Sequence, residues 1–164
     1  MEYERFNITD PMFGASNVYL VGETLVDTGS IPQSPDAAAP IERNLDESIL
    51  TNTNRVVVTH PHVDHVGGSE VAPVLRTVPH VVYKGAETGL SDFGRYLEQV
   101  TAEWRSIPGA FPQGNDLVGF QWPAGLPFPD AALGLEPRVT HGDTIPLGAE
   151  LFAVLQTPGP GPRH

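Results

Sequence analysis

The sequence predicts an α/β fold, and three segments in the middle of the chain support this prediction. Residues 55–60, RVVVTH, form a continuous β-branched run that is typical of a strand buried on both faces of a sheet covered by helices. The glycine pair at positions 67 and 68 opens a short predicted helix that reaches roughly Leu75. Residues 79–84 supply the next strand, so strand, loop, helix and strand follow one another as in a βαβ unit.

Shorter predicted elements flank this unit on both sides. Two strands near the start form a hairpin around a Gly-Glu turn, and the sequence DTG at residues 27–29 ends this hairpin. A later segment begins with a serine cap and a proline and continues with the composition of a surface helix. These elements are strands at residues 17–21, 24–26 and 151–155, a helix within residues 34–50, and a turn with a short strand at residues 142–148.

The sequence predicts one domain over residues 1–164. Within it, residues 88–137 are predicted to form a helical and irregular insertion that resembles a lid. The first part carries an apolar stripe at helical spacing, and the second part, from residue 107, is rich in proline, glycine and aromatic residues. Packing against the core or over a site is the main interpretation of the stripe, and a partner-binding face is the alternative. The stripe consists of Leu90, Phe93, Leu97, Val100 and Trp104.

The composition limits the kinds of site and partner. The chain has 164 residues, of which 40% are apolar, so it can bury one sizeable core. It contains no cysteine, which excludes disulfides and thiolate chemistry, so any metal site must use His, Asp or Glu. The formal net charge is −11, and Lys84 is the only lysine, so a nucleic-acid partner is not expected.

The sequence also favours a cytoplasmic protein. No stretch has the length and hydropathy of a membrane span, and the start MEYERFNITD lacks the basic residues and apolar run of a signal peptide. No membrane partner is therefore expected. The excess of acidic residues, with arginine in place of lysine, is typical of adaptation to high salt, where screening relieves charge repulsion.

The segment that carries chemistry is THPHVDHVGG at residues 59–68. Residues two apart in an extended strand end point the same way, so His60 and His62 can close on one ion. Asp64 and His65 follow where the chain turns, so they can face a second ion or a bound water. The glycine pair lets the backbone turn there without a side chain that crowds the ions. Four such groups after a buried strand would repel or stay unsatisfied without a cation, so the pattern predicts metal binding.

This segment resembles the HxHxDH signature of the metallo-β-lactamase superfamily, and its THxHxDHxGG form is most similar to glyoxalase II-like hydrolases. NVYLV followed by LVDTG resembles the opening hairpin of that family. HGDTIPLGAELFAVLQTPG resembles the stretch that leads into its next ligand loop. The resemblance implies a four-layered αββα sandwich of two similar halves, of which the chain covers the first half plus the start of the second.

The resemblance also implies roles for individual residues. His60 and His62 would bind a first metal ion, and Asp64 and His65 would bind a second. Zn²⁺ is the expected metal, and iron or manganese are alternatives. Two such ions can hold a hydroxide and polarise the carbonyl group that it attacks, and Asp64 would act as the catalytic residue that orients this nucleophile. Asp27 resembles the acid that supports the histidine loop from behind, and capping of its own turn is the alternative.

The chain departs from the family pattern near its end. The family usually continues with TPGH, whereas Pro160 stands at the position of the expected histidine and has no side chain that can coordinate. The chain stops at His164, before two further ligands of the family. The resemblance therefore implies a truncated chain or one completed by another chain, with self-association through an uncovered sheet as a consequence. His80 and His141 are expected to be structural histidines, exposed or hydrogen-bonded.

Three functions remain open at this point. The leading hypothesis is a metal-dependent hydrolase that acts on a thioester or ester of a small molecule. The second is an iron-dependent sulfur dioxygenase, since such enzymes share this fold and loop. The third is a non-catalytic remnant whose incomplete ligand set binds metal weakly. A nuclease is disfavoured by the net charge of −11 and by the absence of a basic patch.

Overall fold

The central element is a mixed sheet whose strands follow one another in chain order. The computed structural model describes residues 2–10, 14–30, 40–60, 62–84 and 135–157. Within them, pairing is antiparallel from the first strand to the third and parallel from the third to the sixth. The strands are β1 (Glu4–Asp10), β2 (Gly14–Val21), β3 (Thr24–Val26), β4 (Arg55–Val58), β5 (His80–Tyr83) and β6 (Leu135–Val139).

Helices cover one face of this sheet, as the βαβ pattern predicts. In their described residues, the connection from β3 to β4 and the connection from β4 to β5 each contain two short helices. Their apolar side chains pack with β3 and β4 in one core cluster, in which Leu25, Val56 and Leu75 are fully buried. None of the helices in the described part of the chain is long and apolar enough to cross a membrane. The helices are α1 (Pro40–Asn44), α2 (Glu47–Asn52), α3 (Val63–Val71) and α4 (Pro73–Arg76).

A hairpin covers part of the other face of the sheet. Strands β7 (Thr144–Leu147) and β8 (Glu150–Ala153) form a separate antiparallel pair. Ile145 and Leu147 pack with side chains of β5 and β6 in a second core cluster, against which Val57 also packs. The second face of β4 therefore packs against a hairpin, as in the predicted αββα sandwich, and not against helices. The order helices, sheet, hairpin corresponds to three layers of the predicted αββα sandwich.

Several predicted boundaries change in the structure. The sequence does not predict β1. Among the described side chains of this strand only that of Ile8 is buried, so the strand has no clear alternation of buried and exposed residues. β6 begins at Leu135, inside the predicted insertion; residues 88–134 and the apolar stripe lie outside the described residues. Leu151 in β8 is 73% exposed, and Leu155, two residues after β8, is 67% exposed. Self-association through this surface stays a prediction.

Helix α3 approaches the chain after β3 closely. The Thr28 backbone N–H donates to the carbonyl oxygen of His65 at 2.7 Å. The Ser69 backbone N–H and hydroxyl donate to Thr28 Oγ1 at 3.0 and 3.2 Å. A Cβ atom on Gly68 would overlap the Thr28 carbonyl oxygen and lie 2.9 Å from Ile41 Cγ2. Glycine is therefore required here for helix–strand packing, and not, as predicted, for a turn beside the ions.

Gly68→Ala should destabilise the fold by about 2–3 kcal/mol, because the added methyl group forces α3 away from Thr28. Urea unfolding of the metal-free protein measures this loss as a lower midpoint. Thr51→Ala, at an exposed position of α2, is the control and should change stability by less than about 0.5 kcal/mol. Equal midpoints for Gly68→Ala and the control would contradict the packing role.

His80 is a titratable group in the core. It is fully buried at the start of β5, and its Nδ1 donates to the carbonyl oxygen of Val78 at 2.8 Å. Its Nε2 has no hydrogen-bond partner among the described residues. Burial lowers the pKa of His80 below its usual value of 6.5, and the hydrogen bond to Val78 offsets only part of this effect. The fold therefore stabilises the neutral imidazole.

His80 should lower the stability of the metal-free protein as pH drops below about 6.5. In that range the unfolded chain takes up a proton on His80 while the folded chain does not, so proton uptake favours unfolding. His80→Asn keeps a donor for the Val78 carbonyl but removes the titration. Its unfolding free energy should therefore decrease less than that of the wild type between about pH 7.5 and pH 5.5. Parallel pH profiles for the two proteins would exclude His80 as the cause.

Candidate metal centre

The histidine segment lies at the carboxyl end of β4, at one edge of the parallel strands. β4 ends at Val58, and Thr59 and His60 continue as a bend. α3 begins at Val63, where the His62 carbonyl oxygen accepts the first hydrogen bonds of the helix. The strand predicted over residues 55–60 is therefore two residues too long, and the predicted helix begins four residues too late.

Asp64 and His65 consequently lie in the first turn of a helix. The backbone N–H of His65 donates to the His62 carbonyl at 2.9 Å, and that of Val66 donates to the same oxygen at 3.0 Å. Both side chains thus project from the amino-terminal turn of α3. This end carries the positive part of the helix dipole, which stabilises the carboxylate of Asp64.

His60 and His62 form the first pair of potential donor atoms. Their imidazole rings are 4.6 Å apart between centroids and nearly perpendicular. His60 Nε2 lies 3.1 Å from His62 Nδ1. Two nitrogens that share one tetrahedral zinc ion at ordinary Zn–N distances are about 3.3 Å apart. The structure thus brings the first predicted pair together at a separation that one ion accommodates.

Asp64 and His65 form the second pair. The Oδ2 atom of Asp64 lies 3.6 Å from the Nε2 atom of His65. The ring of His65 also stacks against the ring of His60, with 4.0 Å between centroids. The two pairs are therefore neighbours, and all four residues predicted from the sequence lie in one cluster. Among the described residues, however, no three His, Asp or Glu side chains converge in a way that could hold one ion.

Asp27 connects this cluster to β3. Its Oδ1 accepts the backbone N–H of Thr59 at 2.8 Å, and its Oδ2 accepts the Thr59 hydroxyl at 2.7 Å. Its Oδ2 also lies 2.8 Å from the Nδ1 atom of His65. The sequence left open whether Asp27 supports the histidine loop or caps its own turn. These contacts, to residues more than thirty positions away, support the first role.

The Asp27 contacts determine which ring nitrogens carry protons. A carboxylate only accepts, so His65 Nδ1 carries the proton that it donates to Asp27, and His65 Nε2 is left with a lone pair. The single proton of the Thr59 hydroxyl is donated to Asp27, so this hydroxyl accepts from His60 Nδ1 at 3.0 Å. His60 Nε2 is therefore also left with a lone pair. A neutral imidazole that carries its proton on Nδ1 can bind a metal ion through Nε2.

Thr59 is a functional residue to which the sequence gave no role. The sequence does contain a sign of this residue, since Thr59 directly precedes the first histidine of the metal-binding segment. The position of its hydroxyl between Asp27 and His60 depends on tertiary contacts, which the sequence pattern does not contain.

The protonation of His65 depends on the same carboxylate. Burial pushes the pKa of His65 down, but the hydrogen bond and charge of Asp27, with the charge of Asp64, outweigh burial and raise the pKa above 6.5. A proton therefore competes with a metal ion for the Nε2 atom at acidic pH.

The backbone of Asp27 is unusual in that φ is +61°, in the left-handed region. Aspartate is one of the few residues besides glycine that adopt this region without a large cost. The backbone N–H of Asp27 still donates to the Val57 carbonyl at 2.8 Å, which fixes the turn beside β4. The left-handed turn therefore aims the carboxylate across β4 toward the histidine segment.

The residues present fit divalent metal ions in part. Imidazole and carboxylate are suitable donor types, two pairs of donors face each other, and an outer carboxylate orients two of the rings. Each pair supplies two donors, fewer than the three protein ligands that a catalytic zinc ion commonly has. Completion of either ligand set requires groups beyond the described residues.

The chain belongs to the metallo-beta-lactamase superfamily, whose sequence profile matches residues 11–164. This match confirms the superfamily that the histidine segment predicts. No curated protein matches the sequence.

Solved structures have a similar fold. A subclass B3 metallo-beta-lactamase from a soil metagenome library matches with a TM-score of 0.57 at 16% identity, over 98% of this chain and 52% of that chain. A metallo-beta-lactamase family protein from Thermus thermophilus matches with a TM-score of 0.58 at 19% identity, over 96% and 52%. A class B3 di-zinc metallo-beta-lactamase from an Alaskan soil metagenome matches with a TM-score of 0.51 at 19% identity, over 94% and 50%. At these identities the similarity shows the fold, and the chain spans about half the length of these structures.

Asp27→Asn should weaken metal binding by about 10- to 100-fold. Asparagine also adopts a positive φ, but an NH2 group replaces one of the two accepting oxygens. In either orientation this NH2 group meets a donor, which is the Thr59 N–H at the Oδ1 position or the Thr59 hydroxyl and His65 Nδ1–H at the Oδ2 position. Competition between the protein and a chromophoric chelator for Zn²⁺ measures the affinity. Asp46→Asn removes an exposed carboxylate outside the cluster and serves as the control. An affinity of Asp27→Asn equal to that of the control would show that Asp27 does not orient the ligands.

Proposed function

We propose that the chain contributes the metal-binding loop of a metal-dependent hydrolase that cleaves a thioester or ester of a small molecule. The observation that carries this proposal is the 3.1 Å separation of His60 Nε2 and His62 Nδ1, with the proton of His60 held on the opposite ring nitrogen. At 3.1 Å the two nitrogens can share a proton, which His62 Nδ1 donates to the lone pair of His60 Nε2, or a metal ion that replaces this proton. Membership of the superfamily favours the metal ion.

The four residues of the cluster would divide into two ligand pairs. His60 and His62 would hold one divalent ion, and Asp64 and His65 would hold a second one. Bound ions of this kind supply a nucleophile at neutral pH and polarise the carbonyl group that is attacked. Zinc is the proposed metal, and iron or manganese suit the same donors.

The residues of the chain would prepare this chemistry in three ways. Asp27 and Thr59 hold protons on the Nδ1 atoms of His65 and His60, so that both Nε2 atoms face the site. The carboxylate of Asp64, half-buried beside His65, would accept a proton and orient the attacking group. The packing of α3 on Thr28 keeps Asp64 and His65 in position.

Loading with Zn²⁺ should give the protein hydrolytic activity toward a simple acyl thioester or a p-nitrophenyl ester, and a chelator should abolish it. Asp64→Asn should lower kcat/KM by about 100-fold or more, because it removes a proton acceptor and a charged ligand. Asp46→Asn makes the same chemical change at an exposed site and should retain activity. Full activity after complete metal removal would overturn the proposal, as would full activity of Asp64→Asn.

A non-catalytic, weakly metal-binding protein is the second candidate. It is supported by the observation that donors among the described residues meet in pairs and not in threes. Pro160 stands where the family usually has a further ligand. If this ligand alone is missing, Pro160→His should tighten Zn²⁺ binding, and the same chelator competition measures the change. Metal analysis of anaerobically purified protein separates both candidates from an iron-dependent dioxygenase, which would retain one iron.

The glyoxalase II-like subtype, the cytoplasmic location and the truncated ligand set remain predictions from the sequence. The hydrolysis of a thioester in preference to an oxygen ester of the same acid would support the glyoxalase II-like subtype.

A further inference from the structure

His141 lies at the same edge of the sheet as the histidine cluster. β4, β5 and β6 are parallel neighbours in this order, so their carboxyl ends meet at one edge. His60 follows the end of β4 by two residues, and His141 follows the end of β6 by two residues. Two strand spacings separate these positions, which amounts to roughly 10 Å. This distance is within the size of a small substrate.

The orientation of the His141 ring is fixed by the chain after β8. The backbone N–H of Gln156 donates to His141 Nδ1 at 3.2 Å. A backbone N–H can only donate, so Nδ1 is an acceptor, and the proton of the neutral ring must be on Nε2. The residue is exposed, and Nε2–H is the donor that its ring offers at the sheet edge.

Further hydrogen bonds make this arrangement rigid. The His141 backbone N–H donates to the hydroxyl oxygen of Tyr83 at 3.4 Å, and this hydroxyl donates to Gln156 Oε1 at 2.9 Å. Asp143 Oδ2 accepts both the backbone N–H and the hydroxyl of Thr140, which closes the turn before β7. The donor of His141 is therefore held in place before any ligand arrives, which lowers the entropy cost of binding.

From this geometry we infer that His141 is a specificity-determining residue, whose Nε2–H donates to a neutral carbonyl or amide oxygen in the acyl part of the substrate. The inference rests on the proposed function, in which the scissile carbonyl lies at the His60–His62 loop. A neutral acceptor is favoured over a carboxylate because the net charge of −11 repels anions.

The distance of roughly 10 Å between the backbone positions of His60 and His141 sets the scale of the acyl chain. In a 4-carbamoylbutanoate ester, three methylene groups separate the ester carbonyl from the amide, whose oxygen lies about 6 Å from the ester carbon when the chain is extended. A hydrogen bond to Nε2 adds about 3 Å, so the group reaches about 9 Å, which is on the scale of the roughly 10 Å between the backbone positions of His60 and His141. The p-nitrophenyl ester of 5-methylhexanoate has the same shape and lacks the acceptor, which makes it the matched probe.

Two variants separate a substrate contact from a structural role. His141→Asn retains an acceptor for the Gln156 backbone N–H but has no donor at the position of Nε2. His141→Gln retains a donor near that position but loses the acceptor. A purely structural histidine would be replaced best by asparagine, and a substrate-binding histidine would be replaced best by glutamine.

In the Zn²⁺-loaded protein, the carbamoyl ester should have a lower KM than the 5-methylhexanoate ester. His141→Asn should reduce this preference about five-fold through KM, and His141→Gln should restore part of it. Nitrogen-15 NMR of the His141 ring provides a readout that does not need turnover. Addition of the neutral methyl ester of 4-carbamoylbutanoate should shift the Nε2–H resonance, and addition of methyl 5-methylhexanoate should not.

The outcomes distinguish this inference from the proposed function. A selective shift of the His141 resonance without ester hydrolysis would overturn the hydrolase and retain the contact. Hydrolysis with the same ester preference in wild type and His141→Asn would overturn the contact and retain the hydrolase. Absence of a selective shift would overturn the contact irrespective of turnover.

Discussion

The carboxylate of Asp27 is the constraint on which the candidate metal centre depends. It joins three parts of the fold, because it follows β3, accepts two hydrogen bonds from Thr59 after β4, and contacts the imidazole of His65 in α3. Through these contacts one acidic group sets the orientation of His65 directly and that of His60 through a hydroxyl. A carboxylate can do this only because it accepts several hydrogen bonds at once and donates none.

The contact between Asp27 and His65 in turn depends on the packing of α3. The helix lies close to Thr28 because Gly68 has no side chain, and hydrogen bonds from Ser69 to Thr28 hold it there. If the helix moved outward, His65 would leave Asp27, and the two donor pairs would separate. The ligand geometry is thus a consequence of core packing, in agreement with the general need for rigid support around functional groups.

Parallel strands place polar groups from distant parts of the chain at one edge of the sheet. The histidine cluster follows β4, Tyr83 ends β5, and His141 follows β6. The cluster offers lone pairs and a carboxylate, which suit cations, whereas His141 offers a fixed neutral donor. This edge therefore presents cation-binding groups beside a hydrogen-bond donor.

The sequence by itself determined the α/β class, the superfamily and the four clustered side chains, because periodicity and ligand spacing are local properties that a pattern preserves. It did not determine the start of α3, the burial of His80 or the protons of His60 and His65. These depend on contacts such as those of Asp27 with Thr59 and His65, which are 32 and 38 residues apart in the chain. Only the tertiary structure brings such partners together, and hydrogen-bond direction and desolvation are fixed only when they meet.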